Sequence, residues 1–128
     1  MQHKILVVDD ETDVLDMLVI NLRAAGFQVI AVEDGASALA KARNESPSLI
    51  ILDLMLPRMP GLEICKVLKS DAATRHIPVI MLTAACGEKN RERGSRCGAA
   101  AYMTKPFEPD KLMATMERHV SRNGNGLS

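Results

Sequence analysis

The sequence predicts a doubly wound α/β sandwich, a parallel sheet between two layers of helices. Short aliphatic runs alternate with stretches of helical period five times along the chain. The runs Ile5–Val8, Leu49–Leu52 and Val79–Leu82 are continuously apolar, as strands covered on both faces must be. At 128 residues the chain has room for one core and no second folded domain.

The first strand is expected from Lys4 to Asp9. Val14, Leu15, Leu18 and Leu22 then share a helical stripe that stops at Gly26, a residue suited to a left-handed C-terminal cap. Gln28 to Val32 is the second strand, Ala36 to Arg43 the second helix, Ser48 to Asp53 the third strand and Leu62 to Leu68 the third helix. Pro78 to Thr83 follows as a fourth strand, Glu88 to Arg96 as a fourth helix and Ala100 to Met103 as a weak fifth strand. A fifth helix, Asp110 to Val120, puts Leu112, Met113, Met116 and Val120 on one face, and Pro109 with Asp110 suits its first turn. The domain is placed at residues 1–121. The polar, glycine-rich 122–128 reads as a frayed end or the start of a linker to an absent output domain.

Composition excludes several functions. Sixteen basic and sixteen acidic residues cancel, so no overall field favours nucleic acid or a membrane surface, and one Tyr, two Phe and no Trp make no stacking platform. The chain enters Lys4-Ile5-Leu6-Val7-Val8 without a signal-peptide pattern, and no apolar run approaches the ~20 residues that span a bilayer, so a cytoplasmic location is expected. Cys65, Cys86 and Cys97 are odd in number and form no CxxC pair, which argues for reduced thiols. His3, His76 and His119 share no ligand spacing and read as surface residues.

In an open parallel sheet, ligands bind beyond the carboxyl ends of the strands. There the first strand offers Asp9-Asp10-Glu11, the third Asp53, the fourth Thr83, and Lys105 follows the fifth. Singly, each acid could cap or charge a helix, Thr83 could open a turn and Lys105 could be solvated. Asp53 resists that reading, because it ends a buried strand where an isolated charge is costly. Clustered carboxylates repel and need a hard divalent cation to stay ionised together; magnesium, an oxygen-seeking ion that keeps several waters, fits better than zinc. Lys105 and Thr83 would then meet phosphoryl oxygens with an ammonium and a hydroxyl.

From about Lys4 to Val120 these motifs resemble the receiver domains of bacterial two-component response regulators. The resemblance rests on the acidic pair after the first strand, "LIILDLMLPRMPG" around Asp53, "PVIMLTA" ending at Thr83-Ala84, and "YMTKPF" containing Lys105-Pro106. It implies the five-stranded flavodoxin-like (βα)5 sandwich with strand order 2-1-3-4-5. It implies Mg2+, with Mn2+ as a substitute, on Asp9, Asp10, Asp53 and the Met55 main-chain carbonyl. Asp53 would be the phosphoacceptor, Thr83 and Lys105 would hold the phosphoryl group, and a cis Lys105-Pro106 bond would aim the lysine inward. The donor would be a histidine kinase or histidine phosphotransfer protein, and the domain would catalyse its own phosphorylation and slow hydrolysis without being an enzyme on other substrates.

The same likeness makes Thr83 and Tyr102 a switch. A hydroxyl drawn to the phosphate frees space for the aromatic ring and remodels the face of the fourth helix, fifth strand and fifth helix, which an output domain or downstream protein reads. Many transcription-factor receivers carry an acidic pair before that aromatic; this chain has Ala100-Ala101, so salt bridges built on the pair cannot form. Lys89, Arg91, Arg93, Arg96, Glu117 and Arg118 remain on the face, and a phosphorylation-dependent homodimer is left open. A small phosphatase or phosphotransferase with an aspartate nucleophile is the alternative, although Asp53-Leu54-Met55 lacks its DxD pattern. Within the receiver class, a stand-alone adaptor and the regulatory part of a longer transcription factor are both compatible with the residues.

Overall fold

The computed structural model describes residues 3–83, 98–105 and 107–124. Strands β1 (Lys4–Val8), β2 (Gln28–Val32), β3 (Leu49–Asp53), β4 (Val79–Thr83) and β5 (Ala101–Thr104) form one parallel sheet in the order β2-β1-β3-β4-β5. Helices α1 (Thr12–Ala24), α2 (Gly35–Glu45), α3 (Gly61–Ser70) and a C-terminal helix (Pro109–Gly124) connect and cover it. This is the expected doubly wound architecture. The expected helix Glu88–Arg96, with Lys89, Arg91, Arg93 and Arg96, lies outside the described residues, as do Cys86, Cys97 and Pro106 with its cis bond.

Strand pleating divides the core between the two faces of the sheet. Leu6, Val8, Ile50, Leu52, Val79 and Met81 meet Ala38 and Ala42 of α2 and Ile64, Cys65 and Leu68 of α3. Their sequence neighbours Ile5, Val7, Leu49, Ile51, Ile80 and Leu82 point the other way, onto Leu15, Leu18 and Leu22 of α1 and Leu112, Met116 and Val120 of the C-terminal helix. The expected stripes on α1 and on the C-terminal helix are therefore the faces that bury.

Several boundaries differ from the sequence reading. β1 stops at Val8, releasing Asp9 from the strand, and β5 runs one residue later than expected, to Thr104. Ser48 and Pro78 lie just outside their strands, although the Ser48 amide donates to the Lys4 carbonyl and the Pro78 carbonyl accepts from Ile50. The C-terminal helix continues past Val120 to Gly124, into the segment read as a tail. Arg is a good helix former, and Ser and Asn cost under ~0.7 kcal/mol each against Ala, so an established helix propagates through them as far as glycine.

α1 ends as predicted. Gly26 takes φ +96°, its amide bonds to the Arg23 carbonyl, and Phe27 reaches back to Leu22, closing the helix before β2.

Candidate functional site

The sheet register brings the acids together. Val8 pairs with Leu52 and Asp53 with Leu82, so the residues leaving β1, ending β3 and ending β4 converge on one edge. Asp9 and Asp53 are 1% and 2% exposed there, whereas Asp10 is open to solvent. One carboxylate oxygen from each of the three lies within 4.8 Å of the others, the only such group of potential metal ligands among the described residues.

Local backbone holds the two buried carboxylates. Asp9 Oδ1 accepts from the Glu11 amide at 2.9 Å, and Asp53 Oδ1 accepts from the Met55 amide at 3.0 Å. Met55 is 63% exposed and meets Asp53 through its main-chain amide. The segment after Asp53 is pinned at both sides, Leu54 N–H to the Leu82 carbonyl and Gly61 N–H to the Leu54 carbonyl, both at 3.0 Å. A Cβ at Gly61 would run into the Asp53 carbonyl oxygen and lie 2.7 Å from Leu54 Cα. Only glycine lets α3 start this close to the end of β3.

Lys105 enters from beyond β5. Its Nζ is 2.8 Å from Asp9 Oδ2, 2.8 Å from Glu11 Oε1 and 3.4 Å from Asp53 Oδ2. Burial opposes the ammonium's charge, but the Asp9 and Glu11 carboxylates close against it and the charge of Asp53 outweigh it, holding the lysine protonated well above its usual range. For Asp53 the balance goes the other way. Burial pushes its carboxyl up to about 6, with Asp9 adding repulsion, against the Met55 amide and the Lys105 ammonium that pull it down. One lysine does not neutralise the pocket.

That imbalance is what a hard cation relieves. Asp9 Oδ2 faces Lys105 by charge alone and accepts no aligned hydrogen bond among the described residues, so a buried oxygen retains lone pairs for a ligand. An all-oxygen donor set with two buried carboxylates fits Mg2+ and does not suit a soft metal. The three histidines stay apart from it: His76 is exposed, and His3 is half-buried with Nδ1 3.1 Å from Ser48 Oγ.

Thr83 ends β4 opposite Thr104, and Tyr102 pairs with Met81 two steps inside the same ladder. Tyr102 is half-buried and packs against the core on the α2 and α3 side of the sheet. A groove of about 300 Å³ lined by Asp34, Gly35, Leu56 and Met59 among others holds none of the three clustered carboxylates and is not this site.

Sequence reasoning placed Glu11 at the end of the first strand without giving it a role in the site, and missed Gly61. Glu11 was legible only as a charge at the start of a helix; the usable signal was its place at an N-cap, which glutamate serves poorly. For Gly61 the signal was a glycine at a helix start, immediately after Pro60.

Comparison with known proteins agrees with this geometry. The family model for the response regulator receiver domain matches residues 5–117. The chain is 43% identical over 123 residues to the alkaline phosphatase synthesis transcriptional regulatory protein PhoP of Bacillus subtilis, covering 96% of this chain and 50% of that protein. It is 41% identical to the DNA-binding response regulator MtrA of Mycobacterium tuberculosis, with 96% and 53% covered. The chain spans about half the length of these curated relatives. Among solved structures, a putative response regulator from Chloroflexus aurantiacus superposes with TM-score 0.91 at 34% identity, covering 95% of this chain and 100% of that one. The chemotaxis protein CheY4 of Vibrio cholerae does so with TM-score 0.89 at 33% identity, covering 93% and 99%.

Proposed function

For this chain, which belongs to the receiver domains of response regulators in two-component signalling, we propose that Asp53 accepts the phosphoryl group. The observation that carries the assignment is the convergence of buried Asp9 and Asp53 with Asp10 and with the Lys105 ammonium.

In that reading a histidine kinase or histidine phosphotransfer protein presents a phosphohistidine. An Asp53 carboxylate oxygen attacks phosphorus, the P–N bond breaks as the P–O bond forms, and the imidazole leaves with the electron pair. Water later attacks the same phosphorus and returns the carboxylate and inorganic phosphate. Asp9, Asp10, Asp53 and the Met55 carbonyl are the groups assigned to Mg2+ or Mn2+. When bound, the ion neutralises charge on the phosphoryl oxygens. Lys105 turns its ammonium to one of those oxygens and the Thr83 hydroxyl serves another. The Met55 amide, bonded to Asp53 Oδ1, holds the carboxylate so that Oδ2 is the freer oxygen for attack.

Thr83 and Tyr102 are proposed as the switch, reading the new charge at the pocket and altering the surface around β5 and the C-terminal helix. Two features support that placement: Tyr102 is half-buried, and it lies two ladder steps from the strand end at Thr83, on the same face of the pleat. The relatives are transcriptional and DNA-binding regulators of about twice this length. By that likeness residues 1–121 form the receiver and 122–128 begin a connection to an output domain, and phosphorylation adjusts contact with that domain, a downstream protein or a second copy. No helix among the described residues is long and apolar enough to cross a membrane, and we place the domain in the cytoplasm.

Intact-mass measurement after incubation with acetyl phosphate and MgCl2 tests the assignment. The wild type gains one phosphoryl group and Asp53→Asn gains none. An adduct on the variant, or a wild type that accepts neither phosphoryl nor beryllofluoride, refutes it.

A further inference from the structure

Glu11 occupies the N-cap of α1, yet its side chain makes no capping bond, at a position where Ser, Thr, Asp or Asn would supply one. Its carboxylate reaches across the pocket mouth to Lys105, 94 residues along the chain. The ammonium is 2.8 Å from Glu11 and 2.8 Å from Asp9 but 3.4 Å from Asp53. The closest partners of the lysine are thus not the carboxylate whose phosphoryl group it is assigned to hold.

We propose that Glu11 is a positioning residue that holds Lys105 at the pocket rim as a competing acceptor, so that phosphorylation must draw the lysine away from it. The inference deepens the assignment of Asp53 as phosphoacceptor and rests on it. A phosphoryl group brings a charge of about −2 to Asp53 and makes a stronger acceptor than any single carboxylate here. Lys105 reaches it by loosening its present bonds. Glu11 stands outside the three-carboxylate cluster, so of the two close partners it is the one that a bound cation leaves in place. At 58% exposure its carboxylate returns to water readily, which makes it a modest opponent rather than a lock.

The test uses beryllofluoride, a phosphoryl mimic, titrated into the protein in excess MgCl2 and followed by 19F NMR. Glu11→Gln is expected to lower the apparent Kd about two- to fivefold, the equilibrium equivalent of one partly exposed ion pair. Glu11→Asp keeps the charge but is a methylene too short to hold 2.8 Å, and is expected to tighten binding likewise. In a Lys105→Met background neither substitution should have an effect, since their action runs through the lysine. The proposal is overturned by unchanged affinity in both Glu11 variants. It is also overturned if Glu11→Gln tightens binding equally without Lys105 while Glu11→Asp does nothing, which is the pattern of a general field effect. Should Lys105→Met fail to fold, Glu11→Asp alone decides, because charge is constant and only reach has changed. A wild type that takes no beryllofluoride removes the phosphoacceptor reading itself, whereas binding indifferent to Glu11 removes only this inference.

Discussion

Replacing Asp53 by Asn should stabilise the metal-free protein. The carboxyl's rise from its ordinary 3.8 to about 6 means that the fold holds this group as an ion under protest. The sign follows from proton linkage: between about pH 4 and 6 the folded chain keeps a proton that the unfolded chain has released. This contribution to stability is complete below about pH 4 and is lost as pH rises through 6. At 1.36 kcal/mol per pKa unit the ceiling is about 3 kcal/mol. The pocket mouth is open beside exposed Asp10 and Glu11, so solvent screening halves that to about 1.5 kcal/mol. The asparagine oxygen can still accept from the Met55 amide, so little is lost in exchange. At roughly 2.1 cal/mol/K per residue, 1.5 kcal/mol is a rise of about 6 °C in the midpoint for a domain of this size.

Thermal unfolding in EDTA, followed by far-UV circular dichroism from pH 4 to 8, measures the effect. Asp34, Glu45 and Asp71 have lowered pKa values and make both proteins more stable as pH rises, but they are common to both and cancel in the difference. The gap between variant and wild type should open between pH 4 and 6 and stay constant above. A flat difference across that window, or a variant no more stable than wild type at pH 7.5, would refute the account of Asp53 as a repelled carboxylate.

Three further outcomes are expected. Mg2+ at tenfold its Kd should stabilise the wild type by about 1.4 kcal/mol, a midpoint rise of about 5 °C, and Asp9→Asn should lose most of that response in the same thermal assay. Gly61→Ala forces a methyl group against the backbone of Asp53 and Leu54, neither of which can swing aside, and should cost about 2–3 kcal/mol in urea unfolding while slowing phosphorylation by acetyl phosphate. Arg43→Ala removes an exposed pair with Asp71 and should change urea stability by no more than about 0.5 kcal/mol, whatever the 2.6 Å separation suggests.

What the sequence made legible was what acts along the chain. Continuous apolar runs located three buried strands because nothing but a doubly covered sheet accommodates Leu49-Ile50-Ile51-Leu52. Gly26 marked a helix end because the left-handed cap is a local requirement. The site acids were legible because strand ends are where such folds bind ligands, and the motifs fixed their spacing. The contacts of Glu11 and Gly61 escaped for one shared reason: each acts on a group distant from its own element or strand, Lys105 in one case and the Asp53 carbonyl in the other. No periodicity reports such a contact. The end of the C-terminal helix was misplaced for a different reason, since propagation through Ser121, Arg122 and Asn123 depends on the helix already formed behind them.

The pocket's weakness as a structural element and its fitness as a site have one origin. Two carboxylates sit nearly without solvent beside one another, with a single ammonium shared among Asp9, Asp53 and Glu11. The sheet tolerates this because its two apolar faces are filled independently of the strand ends. Whatever repulsion remains is available to be released by an added positive charge. The stability that Asp53→Asn gains in EDTA and the stabilisation by Mg2+ that it forfeits should therefore arise from the same interaction. Asp53→Asn should gain in the first and lose in the second, whereas a carboxylate placed for structure alone would lose in both.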